Sequence, residues 1–180
     1  MQLQNMDAPI ISVITVCYNV ASTIEKTMLS VLNQTYKNLE YIIIDGNSTD
    51  GTVDIIKKYA ERLTFWISEP DKGIYDAMNK GIVKATGKFL IFMNAGDQFL
   101  NEKVLSKCLP YFLQEIDVIS GIGYLSGQKW IPAKATDLSV AFFLKRSLNH
   151  QATFINRKLF QDNLYRTDLK IVGDSVFFFQ

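Results

Sequence analysis

The sequence predicts an α/β fold, Rossmann-like, with a mostly parallel central sheet flanked by helices. Three observations carry that expectation. Short apolar runs rich in branched and aromatic residues recur, as in Tyr41-Ile42-Ile43-Ile44 and Phe89-Leu90-Ile91-Phe92-Met93. Such runs suit strands covered on both faces. Stretches of helical periodicity separate them, which argues for right-handed βαβ crossovers. The runs also stop abruptly at acidic turns, Asp45 after the first and Asn94-Ala95-Gly96-Asp97 after the second. In open α/β sheets ligands bind beyond the carboxyl ends of the strands, so two acidic strand ends in one sheet point to a site.

In order along the chain, residues 10–17 read as the first strand. Ser22-Thr23-Ile24-Glu25 then reads as a capping box, with Ser22 at the N-cap and Glu25 three residues on. Ile24, Met28, Val31 and Leu32 follow at helical spacing. Residues 39–44 are the second strand, and Gly46-Asn47-Ser48-Thr49-Asp50-Gly51 is a run of turn formers. Val53, Ile56, Ala60 and Leu63 mark one face of a second helix, and residues 64–68 a third strand. Asp71-Lys72-Gly73 opens a third helix with Ile74, Met78, Ile82 and Ala85 on one face, and Gly87 stands where a helix C-terminal glycine belongs. The strand at 89–93 follows. Beyond Asp97 the rhythm is less regular: a helix near 103–113, a strand at 117–120, a glycine-punctuated hairpin over 121–130 and another strand within 149–155.

Composition narrows the function. The 180 residues are 48% hydrophobic and 21% charged, an ordinary globular balance. A net charge of +1 gives no footprint for nucleic acid or an anionic membrane. Cys17 and Cys108 form no close-spaced pair, and His150 is the lone histidine, so a disulfide framework or a His-rich metal cluster is not expected. The first residues are polar and lack a signal segment, and no stretch approaches the ~20 apolar residues of a membrane span. A reducing cytoplasm is the expected compartment. The apolar end, Val176-Phe177-Phe178-Phe179-Gln180, carries no helix stop signal, and a continuation beyond it is expected.

Several phosphate-binding and hydrolytic signatures are missing. Thr15-Val16-Cys17-Tyr18-Asn19 stands where a dinucleotide glycine fingerprint would, and neither a P-loop nor a Gly-x-Ser-x-Gly elbow occurs. A phosphorylated ligand without a glycine cradle needs its charge offset another way, and a carboxylate-bound divalent cation is the expected route.

Five segments in order resemble the family 2 glycosyltransferases, which have the GT-A fold. They are the strand and loop Ile14-Thr15-Val16-Cys17-Tyr18-Asn19, the helix end Ser30-Val31-Leu32-Asn33-Gln34-Thr35-Tyr36, and the segment from Ile43-Ile44-Asp45-Gly46-Asn47-Ser48 through Thr49-Asp50-Gly51-Thr52. The fourth runs from Asp71-Lys72-Gly73-Ile74-Tyr75-Asp76 through Ala77-Met78-Asn79-Lys80-Gly81-Ile82, and the fifth from Ala85-Thr86-Gly87-Lys88 into Asn94-Ala95-Gly96-Asp97. Two departures stand out. The family's usual Asp-Asp-Gly-Ser is here Asp45-Gly46-Asn47-Ser48, and its usual Asp-x-Asp-Asp keeps a carboxylate only at Asp97.

The resemblance implies one glycosyltransferase domain over 1–180, with a nucleotide-sugar-binding half at 1–100 and an irregular, truncated acceptor-side half at 101–180. It implies an inverting transfer of a sugar from a UDP- or GDP-linked donor to a glycan or lipid-linked hydroxyl, with Mg²⁺ or Mn²⁺ as cofactor. Peripheral association with the inner face of a membrane would fit a lipid-linked acceptor, with no transmembrane segment and no nucleic-acid partner. Nucleotide contacts are expected from Thr15, Tyr18, Asn19, Asp45, Asn47, Asp71, Lys72, Gly73, Tyr75, Asn79, Asn94 and Ala95, metal binding from Asp97, and a contact to acceptor or diphosphate from His150. Gly173-Asp174 sits where the family places the catalytic base, which assigns Asp174 to take the acceptor's proton.

Blander roles compete at each position. Asp45, Asn47 and Ser48 could simply turn the chain, Asp97 and Asp174 could cap turns, Tyr75 could pack, and Lys72 could be a surface charge. The eroded Asn94-Ala95-Gly96 also leaves open a non-catalytic or truncated nucleotide-sugar-binding module.

Overall fold

The computed structural model describes residues 9–125, 127–132, 150–169 and 177. Its strands are β1 (Ile11–Cys17), β2 (Leu39–Asp45), β3 (Phe65–Ser68), β4 (Phe89–Phe92), β5 (Val118–Ser120), β6 (Gly123–Leu125), β7 (Gln128–Trp130) and β8 (Thr153–Asn156). The helices are α1 (Ile24–Leu32), α2 (Thr52–Lys58), α3 (Ile74–Lys84) and α4 (Val104–Phe112). Six strands form one sheet in the order β3-β2-β1-β4-β8-β5, and β6 pairs with β7 in a separate ribbon. β1, β2, β3 and β4 run parallel, whereas β8 lies antiparallel to both β4 and β5. The fold is therefore the mixed α/β sheet that the apolar runs predict.

Strand alternation divides the core into two layers, because successive side chains leave opposite faces. Ile11, Val13, Ile43, Phe89 and Ile91 join Met28, Val31, Ile56, Leu105 and Phe112 on the side of α1, α2 and α4. Ile14, Val16, Ile42, Ile44, Leu90 and Phe92 face the other way, against Met78 and Ile82 of α3. Coverage on both faces is why these strands read as unbroken apolar runs. Chain order reverses between β1 and β4, so the crevice beyond their carboxyl ends is the place where such a sheet admits a ligand. The register, with Cys17 opposite Asp45 and Asp45 opposite Ser68, brings three strand ends level there.

The other end of the sheet is closed by one buried acid. Glu40 is 6% exposed. Its carboxylate accepts hydrogen bonds from the Ser12 hydroxyl, from the Thr86 N–H (2.5 Å) and hydroxyl (2.8 Å), and from the Gly87 N–H (2.9 Å). These donors lie on β1 and on the turn into β4, so Glu40 ties that turn to the central strands.

Local details correct three expectations. The N-cap of α1 is Thr23, without a side-chain cap bond, because Glu25 is instead engaged by Lys58 (2.7 Å) and Tyr59 (2.6 Å) of the second helical segment. That segment is shorter than its apolar spacing implies: α2 ends at Lys58 and a single 3₁₀ turn follows over Ala60–Arg62. Gly87 is no left-handed cap. A Cβ there would stand 2.7 Å from the Ile10 carbonyl oxygen and 2.8 Å from the Ser12 nitrogen, so close approach of two backbones demands the glycine.

Candidate functional site

The site is built on a rigid loop floor. Asp45, at the end of β2, is 0% exposed. Its Oδ1 accepts from the Ser48 hydroxyl at 2.5 Å and the Cys17 thiol at 3.5 Å, and its Oδ2 from the Ser48 N–H at 2.9 Å and the Ser68 hydroxyl at 2.6 Å. Burial, followed by the Asp45 charge, pushes the Cys17 thiol well above its ordinary value, so it stays a donor rather than a thiolate.

Asn19 and Asn47 both have positive φ, 51° and 68°, a region that asparagine tolerates better than most residues. The Asn19 N–H donates to Ser48 Oγ at 2.7 Å, and Asn19 Oδ1 accepts the Thr49 N–H at 2.9 Å. Asp50 accepts from the Ala21 N–H at 2.9 Å and from the Thr52 hydroxyl at 2.6 Å, contacts that hold its carboxyl below its ordinary value. The loops after β1 and β2 are thus laced together, and Tyr18 is left standing out of them, 63% exposed.

The segment between β3 and α3 forms one wall. Asp71 Oδ1 accepts the Gly73 N–H at 2.8 Å, and Gly73 takes a φ of 117° that a side chain would oppose. Asp71 lies against Gly46: a Cβ on that glycine would stand 2.6 Å from Asp71 Oδ2 and 3.4 Å from the Tyr18 ring. Lys72 and Asn47 are exposed on the same rim.

The turn after β4 forms the opposite wall. The Asp97 N–H closes it onto the Asn94 carbonyl at 2.9 Å, and the Gly96 N–H donates to the buried Thr27 hydroxyl of α1 at 2.9 Å. The 3₁₀ turn at His150–Ala152 packs beside it, with Asn94 Nδ2 3.2 Å from His150 Nε2. Burial raises the Asp97 carboxyl above its ordinary value, while the His150 charge and a Gln151 hydrogen bond pull the other way. Asn94 Oδ1 is buried and has no hydrogen-bond partner among the described residues.

No cluster of three or more His, Cys, Asp or Glu side chains with metal-site geometry occurs among the described residues. The donors present are one carboxylate at Asp97, the orphaned amide oxygen of Asn94 and the neighbouring imidazole of His150. Hard divalent cations are commonly held by one or two carboxylates plus ligand phosphates, and carboxylate and carbonyl oxygens suit Mg²⁺ and Mn²⁺. The set therefore fits a cation shared with a diphosphate.

Four residues expected to touch the nucleotide are turned to the framework instead. Asp45 has both oxygens engaged by the protein. Thr15 is fully buried, and its hydroxyl lies 2.7 Å from the Met93 carbonyl and 2.9 Å from the Tyr41 hydroxyl. Tyr75 is 8% exposed and packs on Tyr165 at 5.5 Å between ring centroids. Asn79 has its amide oxygen and nitrogen paired with the Tyr165 backbone. By strand order, Tyr18, Asn19, Asn47, Asp71, Lys72 and Gly73 follow β1, β2 and β3 on one side of the β1–β4 switch point, and Asn94, Ala95, Asp97 and His150 lie by the end of β4 on the other. Asp174 lies outside the described residues. Thr27, Ser68 and Gln151 were missed by spacing alone, since each acts through a contact far away in sequence.

Comparison with known proteins agrees with this fold. The family described as Glycosyl transferase family 2 matches residues 12–177. A PGL/p-HBAD biosynthesis glycosyltransferase of Mycobacterium bovis is 34% identical over 161 residues, 86% of this chain and 62% of that protein. The putative teichuronic acid biosynthesis glycosyltransferase TuaG of Bacillus subtilis is 37% identical over 119 residues, 64% of this chain and 47% of that protein. The chain thus spans less than two thirds of the length of these curated relatives.

Among solved structures, S. aureus TarS 1-349 in complex with UDP superposes with a TM-score of 0.77 at 22% identity, over 93% of this chain and 53% of that one. The mannosyltransferase PcManGT from Pyrobaculum calidifontis, in complex with GDP-Man and Mn²⁺, gives 0.74 at 22% identity, over 96% and 51%. At that identity the likeness speaks for the fold alone, while the family match covers most of the sequence. The chain belongs to the family 2 glycosyltransferases.

Proposed function

We propose that this chain carries the donor site of an inverting, metal-assisted glycosyltransferase that moves a sugar from a nucleoside-diphosphate sugar to a hydroxyl of a glycan or lipid-linked acceptor. The observation that supports it most is the facing arrangement of Tyr18 and Asp71 against Asn94, Asp97 and His150 across the switch-point crevice. One wall offers an exposed ring and a carboxylate, suited to a base and ribose. The other offers an orphaned amide oxygen, a carboxylate and an imidazole, suited to a diphosphate with its cation.

In the transfer, the acceptor oxygen forms a bond to the anomeric carbon as the bond to the diphosphate oxygen breaks, in one in-line displacement that inverts configuration. The acceptor's proton goes to a carboxylate base, for which the resemblance nominates Asp174. Asp97 and the Asn94 amide oxygen would hold Mg²⁺ or Mn²⁺, which when bound offsets the charge growing on the leaving diphosphate. Lys72, exposed on the rim, can add a second positive charge to the phosphates. Relatives named for teichuronic acid and PGL/p-HBAD biosynthesis support a place in glycan synthesis, with a lipid-linked acceptor at the inner face of the membrane as our reading. No described helix is long and apolar enough to cross a membrane.

Thermal shift with UDP and GDP, each with and without Mn²⁺, tests the donor site, because a ligand that binds only the folded state stabilises it by mass action. Cation-dependent stabilisation is the expected result, and none with either nucleotide would overturn the reading. Donor hydrolysis and transfer assays separate an enzyme from a binding module: binding without turnover would favour the latter.

A further inference from the structure

Thr27, Ser30 and Gln34 form a polar stripe along α1 and its exit, a helix otherwise packed through Ile24, Met28 and Val31. Thr27 is 0% exposed and Gln34 2%. Each meets the connection from β4 to α4, and they do so in chain order. The Thr27 hydroxyl accepts the Gly96 N–H at 2.9 Å, and the Ser30 hydroxyl accepts the Phe99 N–H at 3.3 Å. Gln34 Nε2 donates to the Asn101 carbonyl at 2.8 Å and the Ser30 carbonyl at 3.0 Å, and its Oε1 accepts the Leu105 N–H at 3.1 Å. The Thr35 N–H and hydroxyl add two bonds to the Glu102 carbonyl, at 2.7 and 3.0 Å. No strand or helix occurs between Phe92 and Val104, so these side chains pair backbone groups that a ladder would otherwise pair. β1 reaches the same turn through a long bond, Ala95 N–H to the Val16 carbonyl at 3.4 Å.

We propose that Thr27, Ser30 and Gln34 are positioning residues of the transfer reaction: from α1 they fix the backbone around Gly96 so that Asn94 and Asp97 stand ready for a cation. This rests on the cation-binding reading of that turn. The turn carries a single carboxylate, at Asp97. A cation held by few protein ligands does little to order the chain around it, so the order must exist beforehand. Thr27 acts nearest the turn, because its partner Gly96 lies between Ala95 and Asp97, has a φ of 106° and offers no side chain of its own to pack. Ser30 and Gln34 act at increasing distance along the connection. Groups that hold a ligand rather than touch the metal commonly change its affinity 10- to 100-fold when lost.

Calorimetric titration of the whole chain with UDP and with GDP, at a series of Mn²⁺ concentrations, measures the Mn²⁺ needed for half-maximal nucleotide binding. T27V keeps the shape of the side chain and removes the acceptor for the Gly96 N–H. It should raise the Mn²⁺ requirement about tenfold, at the low end of the range for lost supporting groups. T27S keeps the hydroxyl and should restore the wild-type requirement. Amide exchange at Gly96 in the ligand-free chain should quicken in T27V and not in T27S, a readout that needs neither metal nor turnover. S30A should raise the requirement about threefold, the scale of one neutral hydrogen bond. Q34L strips partners from three buried backbone groups and should lower the melting temperature most, yet raise the Mn²⁺ requirement less than T27V. The inference is overturned if T27V keeps the wild-type requirement, if T27S shifts it as far as T27V, or if the shifts follow the loss of melting temperature rather than nearness to Gly96. Should T27V not fold, S30A decides, and a wild-type Mn²⁺ requirement there overturns the inference. If the unmodified chain binds neither nucleotide in a Mn²⁺-dependent way, the cation reading itself fails and takes the inference with it, a result that the wild type alone distinguishes from the others.

Discussion

Asn79 of α3 pairs with the backbone of Tyr165 as one strand pairs with another: its Nδ2 donates to the Tyr165 carbonyl at 2.8 Å, and its Oδ1 accepts the Tyr165 N–H at 3.0 Å. Tyr165 is thereby set among Phe92, Phe160 and Phe177, with ring centroids 5.6, 5.8 and 5.2 Å away. The segment around Tyr165 is therefore tied to α3 by a side-chain amide as well as by ring packing on β4. N79A would leave a buried N–H and C=O unpaired, at a cost of about 2 kcal/mol. Hydrogen exchange at Tyr165 and proteolysis within 160–169 should both accelerate. Unchanged protection would show that the aromatic cluster holds the segment alone.

Glu40 predicts a pH dependence with a definite sign. Burial favours its neutral form, but hydrogen bonds from Ser12, Thr86 and Gly87 outweigh that and hold its carboxyl below the ordinary 4.5. A depressed acid binds protons more weakly in the folded state, so its contribution is present above the unfolded value and lost as pH falls through the folded one. E40Q would place an N–H₂ among four donor groups and cost about 3 kcal/mol at neutral pH. Urea unfolding should find that gap narrowing below about pH 4.5. A gap that stays constant into acid would mean the charge plays no part.

Gly87 is a steric prediction from the same corner. G87A would bring a methyl to 2.6 Å from the Ser12 hydroxyl oxygen and within 2.8 Å of two backbone atoms that cannot rotate away. Overpacking of this kind costs about 1–3 kcal/mol. Chemical denaturation should show the midpoint fall without a change of slope. A neutral result would require the β4 entry turn to move.

Which parts of this were legible in the sequence follows from range. The strands were plain because both sheet faces are covered, which makes residues 41–44 and 89–93 uniformly apolar. The meeting of the acidic strand ends was legible because parallel strands end together, so Asp45 and the turn after β4 come to one edge of the sheet whatever the helices do. The long-range contacts of these acids were not. Nothing in the spacing shows that Asp45 will be consumed by Ser48 and Ser68, or that Asp71, 25 positions beyond Gly46 in the chain, will fill the volume beside that glycine. The capping box misled for a similar reason: Glu25 found tertiary partners in Lys58 and Tyr59 rather than its own helix N-terminus.

Asp45 itself should behave as a positioning residue. D45N would set an amide N–H₂ among donors from Ser48, Ser68 and Cys17, leaving some without an acceptor, for a loss of about 2 kcal/mol. Hydrogen exchange over 46–51 should rise. UDP affinity should fall because the loop that carries Tyr18's neighbours is no longer preorganised. An affinity loss without loosened exchange would instead argue that Asp45 touches the ligand.

Asn94 and Asp97 are expected to act together on a cation. The Asn94 amide oxygen is buried without a partner among the described residues, a state that ordinarily costs about 1–3 kcal/mol and calls for an occupant. Asp97 offers the carboxylate of that turn, and burial works against its charge until a cation offsets it. Two consequences differ in sign. N94L should raise the melting temperature of the ligand-free chain by removing a buried oxygen without a partner among the described residues, and D97N by removing a charge that burial disfavours. The same variants should weaken Mn²⁺-dependent UDP binding by about tenfold or more, the scale on which metal sites respond to loss of a supporting group. Binding without Mn²⁺ should change little, because Tyr18 and Asp71 lie on the opposite wall. Melting curves across a Mn²⁺ titration, with and without UDP, read both effects in one experiment. If D97N leaves the Mn²⁺ dependence of UDP binding intact, the cation is held elsewhere and the turn after β4 serves the fold alone.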